Sequence, residues 1–151
     1  MKTLKIISEA FEENGSIPSK YTCDGMNINP PLEVQGIPKG AKTLVLIVDD
    51  PDAPAGVWVH WIKWNIKATG ETTLFEEGKE PAGVSGKNSS GGLSYEGPCP
   101  SNGEHRYFFK VYALDSEINL PEGLNKREVV NAMENYIIAS GELAGRYDRG
   151  R

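Results

Sequence analysis

Residues 41–66 read AKTLVLIVDDPDAPAGVWVHWIKWNI, and this stretch decides the fold class. Residues 41–48 form an unbroken aliphatic and β-branched run that is too short for a helix without caps, which predicts a strand buried on both faces. The motif DDPDAP at 49–54 ends it, because prolines and carboxylates interrupt ladder pairing. Residues 57–66 then alternate as a second strand. One predicted face carries Trp58, His60, Ile62 and Trp64, and the other carries Val59, Trp61 and Lys63.

Outward from this stretch, most other elements also have the pattern of short strands. Residues 2–7 alternate like an edge strand, with Leu4 and Ile6 on one face, and residues 32–35 and 106–114 predict two more strands. The segment 71–97 is polar and glycine-rich and contains a predicted long loop around residues 83–92, and such loops in compact domains are usually functional or disordered.

One segment has helical periodicity. Its apolar stripe consists of Val129, Val130, Met133, Tyr136 and Ile137. Asn125 and Glu128 predict a capping box at the start, and Gly141 predicts the end of the helix. Residues 142–147 then return as a final short strand. The sequence as a whole predicts one mainly β domain over residues 1–151, with a sandwich-like arrangement and one clear helix.

Composition excludes several functional classes. The chain has 151 residues, a hydrophobic fraction of 38%, a charged fraction of 25% and a formal net charge of −5, all within the globular range. No basic stripe offsets the negative charge, so we expect no nucleic-acid partner. The longest apolar run, residues 44–48, is far too short for a membrane span. The first residues lack the pattern of a cleavable signal, so the cytoplasm is the expected location.

The two cysteines give a weaker signal. Cys23 and Cys99 are too few for a disulfide scaffold and have no metal-type spacing. We expect them to be half-buried small apolar residues, although a bridge between them stays open at this level.

Chemistry-bearing residues concentrate in two segments, DDPDAPAGVWVHW (49–61) and GPCPSNGEHRY (97–107). Each contains one of the two histidines, His60 and His105, beside aromatic residues and a proline-rich turn. Two imidazoles, a carboxylate and a tyrosine hydroxyl could together form a concave polar site suited to a phosphate-like anion, with Asp50 holding a histidine instead of touching the anion. Alternatively, His60 is an ordinary core histidine and Asp52 a turn former.

These motifs resemble the signature of the phosphatidylethanolamine-binding protein family, also called Raf kinase inhibitor-like proteins. YTCDGMNINPPLEVQGIP (21–38), GKNSSG (86–91) and MENYIIASGELAGRY (133–147) resemble its short prokaryotic branch, so the likeness covers nearly the whole chain. The resemblance implies a two-sheet antiparallel Greek-key β sandwich with one or two short helices. It also implies a small surface pocket for phosphate groups, phospholipid head groups, nucleotides or carboxylates.

The resemblance further implies a set of ligand-binding residues: Asp50, Asp52, Trp58, His60, Pro98, Pro100, His105 and Tyr107. Pro100 is followed by Ser101 where family members often continue with proline, so the choice among Pro98, Cys99 and Pro100 as the pocket wall stays open. The implied function is a non-enzymatic anion- or phosphate-binding module that regulates or inhibits a kinase or a protease. The expected partners are a phosphate-containing or carboxylate ligand, a kinase, a protease or phosphorylated protein, and a second copy in a homodimer. No cofactor, catalytic residue, metal or integral membrane association is expected.

Two other functional classes remain as alternatives. A hydrolase could use the His/Asp cluster to activate water, with Ser89, Ser90, Ser94 or Ser101 as a nucleophile, although no recognised activating motif surrounds these serines. Two histidines with one or two aspartates could also form a zinc or iron site, although further ligands are lacking.

Overall fold

A computed structural model describes residues 1–150 of the chain. The strands are β1 (Lys2–Thr3), β2 (Lys5–Ile7), β3 (Gly15–Ser16), β4 (Leu32–Gln35), β5 (Thr43–Asp50), β6 (Trp58–Lys67), β7 (Thr72–Phe75), β8 (Val84–Ser85), β9 (His105–Leu114) and β10 (Ile137–Tyr147). The helix α1 spans Lys126–Met133, and short 3-10 turns lie at Ser19–Tyr21 and Glu134–Tyr136.

The strands form two sheets. The larger has the order β1-β10-β9-β5-β6-β8, with β3 also paired to β10, and the smaller has the order β2-β4-β7. Most pairs are antiparallel, but the short strands β1 and β3 both pair with β10 in parallel. This architecture confirms the predicted mainly β two-sheet sandwich, and the two parallel pairings are a feature that the sequence did not indicate.

The large sheet is covered on both faces, which explains the continuous apolar run of β5. All eight residues of β5 are buried. Its Leu44, Leu46 and Val48 join the core shared with the small sheet, whereas Val45 and Ile47 pack with α1 residues. A strand between two apolar layers has no face left for polar alternation, as the sequence predicted.

The C-terminal third corrects two boundaries. The predicted capping box is present, since the Asn125 side chain accepts from the backbone N–H of Glu128 and the Glu128 side chain accepts from that of Asn125. The helix, however, ends at Met133, and β10 begins at Ile137. Gly141 lies inside this strand, not at a helix end, and a Cβ there would stand 2.2 Å from the carbonyl oxygen of Leu4. The predicted helical end at Gly141 was therefore wrong. The predicted final strand at 142–147 is present, but it begins at Ile137, because pairing with β9 extends β10 across 11 residues.

Smaller differences occur at the N-terminus and in the segment after β6. The predicted strand over residues 2–7 is divided into β1 and β2, which belong to different sheets, although Leu4 and Ile6 are both buried as expected. The polar segment 71–97 contains β7, and the long loop predicted around residues 83–92 contains β8. Both are short pieces whose pairing partners lie far away in sequence, so local composition gave no sign of them.

No helix within residues 1–150 is long and apolar enough to cross a membrane.

Candidate functional site

A β-bulge in β6 positions His60. In the pairing of β5 with β6, Val48 lies opposite Trp61 and Asp49 lies opposite Val59, which leaves His60 as the extra residue. A bulge of this kind redirects a side chain and often lies beside a functional site. His60 meets the ring of Tyr107 edge-on with ring centroids 5.3 Å apart.

The bulge overturns the predicted assignment of strand faces. Trp61 belongs to the core between the sheets, whereas Ile62 and Trp64 pack on the helix side. His60 therefore does not share a face with Ile62 and Trp64 as simple alternation predicted. A single extra residue reverses the parity of every side chain beyond it.

His105, the first residue of β9, is held by the last residue of β5. Its Nδ1 donates to Oδ2 of Asp50 over 2.6 Å, and both side chains are buried. Its Nε2 donates to the backbone carbonyl of Asn102 over 3.2 Å. Since both partners are acceptors, the ring satisfies both contacts when it is doubly protonated. Asp50 thus holds a histidine, as the sequence predicted.

The His60 ring is held by the backbone of the loop that contains Glu96. Its Nδ1 lies 2.6 Å from the backbone carbonyl of Glu96, which can only accept, so Nδ1 carries a proton. Nε2 is then the ring nitrogen that can contact a ligand. Burial lowers the pKa of His60 below its usual value, although the Glu96 carbonyl and the Asp50 carboxylate oppose this shift. A neutral ring therefore predominates near pH 7, and protonation of Nε2 would turn it into a cationic donor.

Tyr107 contributes a buried hydroxyl without a partner. The residue is 1% exposed, and within residues 1–150 its hydroxyl has no hydrogen-bond partner. Burial raises the pKa of Tyr107 well above its usual value, so the hydroxyl remains protonated and able to donate. An unpaired buried donor costs about 1–3 kcal/mol, and such groups in a native structure call for an explanation.

These side chains surround one cavity of ≈ 290 Å³, hereafter called the anion cavity after the class of ligand that we propose for it. Six of the eight predicted ligand-binding residues line it, namely Asp50, Trp58, His60, Pro100, His105 and Tyr107. The structure thereby brings together two histidines that lie 45 positions apart in the chain. The cavity lining also includes Ala53, Pro54, Glu96 and Ser101, which the sequence did not predict as ligand-binding residues. Of the three residues proposed for the wall, Cys99 and Pro100 line the cavity.

The two remaining predicted residues lie beside the cavity and not in its lining. Asp52 accepts from the backbone N–H of Arg106 and forms a two-point ion pair with its guanidinium, at 2.8 and 2.9 Å. The hydrogen bond from Arg106 lowers the pKa of Asp52 to about 2. Pro98 is buried, and its carbonyl accepts from the N–H of Cys23 at 3.1 Å. Both residues fix the loops that carry the lining side chains.

A disulfide anchors the wall of the anion cavity. Cys23 and Cys99 are bonded, and both residues are exposed. The expectation of half-buried cysteines was wrong, because both are exposed, and the bridge that the sequence left open is present across a separation of 76 residues. Close packing at Gly97 supports the same contact, since a Cβ there would stand 2.2 Å from the carbonyl oxygen of Tyr21.

A metal centre gains no support from this geometry. Within residues 1–150, no group of three or more His, Cys, Asp or Glu side chains is arranged to hold a metal ion. Three of the four ring nitrogens of His60 and His105 already form hydrogen bonds, one to the Asp50 carboxylate and two to backbone carbonyls.

Comparison with known proteins then decides the family. The model of the phosphatidylethanolamine-binding protein family matches residues 7–148. The chain belongs to the phosphatidylethanolamine-binding protein family.

Several relatives match this chain over almost their entire length. An uncharacterised-family protein (UPF0098) of Methanothermobacter thermautotrophicus is 49% identical over 97% of this chain and 100% of its own length. The crystal structure of a putative phosphatidylethanolamine-binding protein homologue from Chlamydia trachomatis has a TM-score of 0.92 with 40% identity, and covers 99% of both chains. Escherichia coli YbcL, described as a new member of the mammalian family, has a TM-score of 0.86 with 28% identity over 96% of this chain and 98% of its own.

Membership of the phosphatidylethanolamine-binding protein family agrees with the resemblance seen in the sequence motifs. The signal for the bulge at His60 was also present, since Trp61 is apolar at a position where alternation would expose it. The disulfide and the contribution of Glu96, by contrast, depend on loop contacts without a periodic signature.

Proposed function

We propose that this protein is a non-enzymatic binding module whose anion cavity holds a phosphate group or a carboxylate. The observation that carries the proposal is the buried hydroxyl of Tyr107, a donor that has no hydrogen-bond acceptor within residues 1–150. Tyr107 lines the same cavity as His60, whose Nε2 can contact a ligand. Oxygen atoms of a bound anion would satisfy this donor and favour a protonated His60. The name of the family and of its solved homologue, which refers to a phosphoryl-containing lipid, is consistent with this ligand class.

The charges of the cavity favour selective binding over strong binding. The Asp50 carboxylate lies 2.6 Å from Nδ1 of His105 and adds negative charge beside the cavity, so the attraction for an anion depends on protonation of His60. The Glu96 side chain accepts from the hydroxyl of Ser90 at 2.6 Å. We therefore expect modest affinity that rises as the pH falls, because an anion favours the charged imidazole.

A regulatory role follows as the finer part of this proposal. A module that recognises a phosphate group on a kinase, a protease or another phosphorylated protein could block that partner by occupying its modified segment. The exposed part of Trp58 at the rim of the anion cavity would supply an apolar contact beside the phosphate.

The hydrolase alternative has one specific point in its favour, because Ser101 lines the anion cavity. Activation of this serine would require a histidine nitrogen as base. Both nitrogens of His105 and one of His60 already bind other groups, and no hydrogen bond joins Ser101 to either ring among the described residues. The geometry therefore supports binding better than catalysis.

The test compares wild-type protein with Tyr107→Phe and His60→Ala in calorimetric titrations with inorganic phosphate and phosphoethanolamine. Tyr107→Phe retains the ring and removes only the donor, so it should weaken binding about 10–150-fold, as expected for one lost hydrogen bond to a charged group. Tyr112→Phe, on the same strand but outside the lining of the anion cavity, is the matched control and should bind normally. Equal affinities for all four proteins would contradict the proposal. Turnover of p-nitrophenyl phosphate or acetate that depends on Ser101 would instead support the hydrolase.

A further inference from the structure

A second concave site lies on the helix side of the large sheet. It is a groove of ≈ 490 Å³ between the first turn of α1, the start of β6 and the loop before Ser90, and it is hereafter the basic groove. Three cations line it, Lys87, Lys126 and Arg127, and three valines form its apolar floor, Val57, Val59 and Val130. The other lining residues are asparagines and one serine, so the groove contains no acidic side chain.

The basic groove is separate from the anion cavity. Val59 packs against the helix-side core, whereas His60 is directed by the bulge toward Tyr107. The two sites share no lining residue. A ligand of one site therefore does not need to occupy the other.

Two of the three cations of the basic groove, Lys87 and Arg127, form no ion pair with another residue within residues 1–150. Lys126 contacts Asp49 at 2.7 Å, but this single buried carboxylate is shared with Lys110 at 3.2 Å. A cluster of uncompensated positive charge on a chain with a net charge of −5 indicates an anionic partner.

The capping box does not supply the missing negative charge. The Glu128 carboxylate lies 3.1 Å from the backbone N–H of Asn125, where it completes the cap of α1. Its commitment to the cap leaves Lys87 and Arg127 available to a ligand.

The apolar floor narrows the class of partner. Val57 is 53% exposed at the start of β6, and Val59 and Val130 are partly buried beside it. A free phosphate or a nucleic-acid backbone would leave these valines uncovered, whereas a peptide could place aliphatic side chains on them. We propose that the basic groove binds an acidic peptide segment of a partner protein, with carboxylates at Lys87 and Arg127 and aliphatic side chains on the three valines.

The experiment measures binding of a fluorescein-labelled peptide ELEELE to the full chain by fluorescence polarisation, with amide chemical shifts as a second readout. On the wild-type protein, saturable shifts should be confined to the groove residues, and binding should weaken in high salt because exposed charges are screened. The peptide EGEEGE, which lacks aliphatic side chains, and KLKKLK, which has the opposite charge, should bind more weakly.

Charge-reversal variants test the residues directly. The double variant Lys87→Glu/Arg127→Glu should lose at least about tenfold in affinity for ELEELE, since each exposed ion pair contributes modestly and reversal adds repulsion. Lys5→Glu/Lys39→Glu, which makes the same change of net charge outside the groove, is the matched control and should bind like the wild type. Phosphate binding at the anion cavity should be unchanged in both, and His60→Ala should still bind ELEELE, which separates a failure here from a failure of the proposed function.

Three results would overturn the proposal. The first is equal loss of affinity in the two charge-reversal variants, and the second is an absence of saturable shifts at the groove in the wild-type protein. The third is groove-dependent co-sedimentation with phosphatidylserine-containing vesicles while ELEELE produces no shifts, which would identify a lipid surface as the partner.

Discussion

Removal of the Cys23–Cys99 disulfide should strongly destabilise the protein. The bridge joins residues 76 positions apart, and in the loop-entropy relation a closure of this size restricts the unfolded chain by about 4–5 kcal/mol. Measured values usually lie between about 2 and 5 kcal/mol, since native strain and residual structure reduce the effect. We expect Cys23→Ser/Cys99→Ser to lose about 3–4 kcal/mol of unfolding free energy. With an m-value near 2 kcal/mol/M, the urea midpoint falls by about 1.5–2 M.

Tryptophan fluorescence can follow this transition, because Trp61 and Trp64 are both fully buried. A reductant serves as the matched control, since both cysteines are exposed to it in the native state. Reductant should move the wild-type midpoint to that of the double variant and leave the double variant unchanged. Because Cys99 lines the anion cavity, phosphate affinity should also decrease on reduction. A stability difference below about 1 kcal/mol, or a reductant effect on the double variant, would refute the assignment of this bridge as a principal stabilising contact.

Three further predictions concern the neighbourhood of the site. The pKa of His60 in the folded protein lies below its unfolded value near 6.5, so the unfolded state binds more protons as the pH falls through that value. The free energy of unfolding should therefore decrease between pH 7 and 5. His60→Gln should show a smaller decrease of the urea midpoint over the same range. Asp49→Asn should lower the free energy of unfolding in urea by about 1–3 kcal/mol, because two lysines lose their buried carboxylate. Lys126→Met should lower it less, since Lys110 still pairs with Asp49. A larger loss for Lys126→Met than for Asp49→Asn would be inconsistent with this arrangement. Gly97→Ala should lower the free energy of unfolding by about 1–3 kcal/mol and weaken phosphate binding, because the new Cβ would displace the Tyr21 carbonyl. Gly40→Ala, where the nearest atom to the new Cβ is 3.8 Å away, should be close to neutral. Similar effects of the two changes would argue against the close approach of Gly97 to Tyr21.

The sequence predicted the fold where one chemical pattern dominated a segment. The continuous run before Asp49 specified a strand buried on both faces, and the Asn125/Glu128 pair specified the start of the helix. The end of the helix was not predictable from Gly141, because tertiary pairing with β9 determines where β10 begins. Propensity is a weak guide once a neighbouring strand can satisfy the backbone.

The site was predictable in its main residues and not in its framework. The motifs containing His60 and His105 placed both rings in one cavity, and Asp50 has its expected role as a partner of His105. The bulge that directs His60 was not predicted, because strict alternation assumes an unbroken register, although apolar Trp61 on the predicted face of Lys63 was a signal for it. The sequence left the disulfide open and did not indicate the carbonyl of Glu96, since loops bring both to the cavity through long-range contacts.

The most direct test is a pH titration of the histidine ring resonances, with and without inorganic phosphate. In the free protein His60 should titrate below its ordinary range, and saturating phosphate should raise its apparent pKa because the bound anion favours the charged ring. Tyr107→Phe should reduce this increase by weakening the bound state. Titration curves for His60 that coincide in the presence and absence of phosphate would contradict the assignment of this cavity as an anion site.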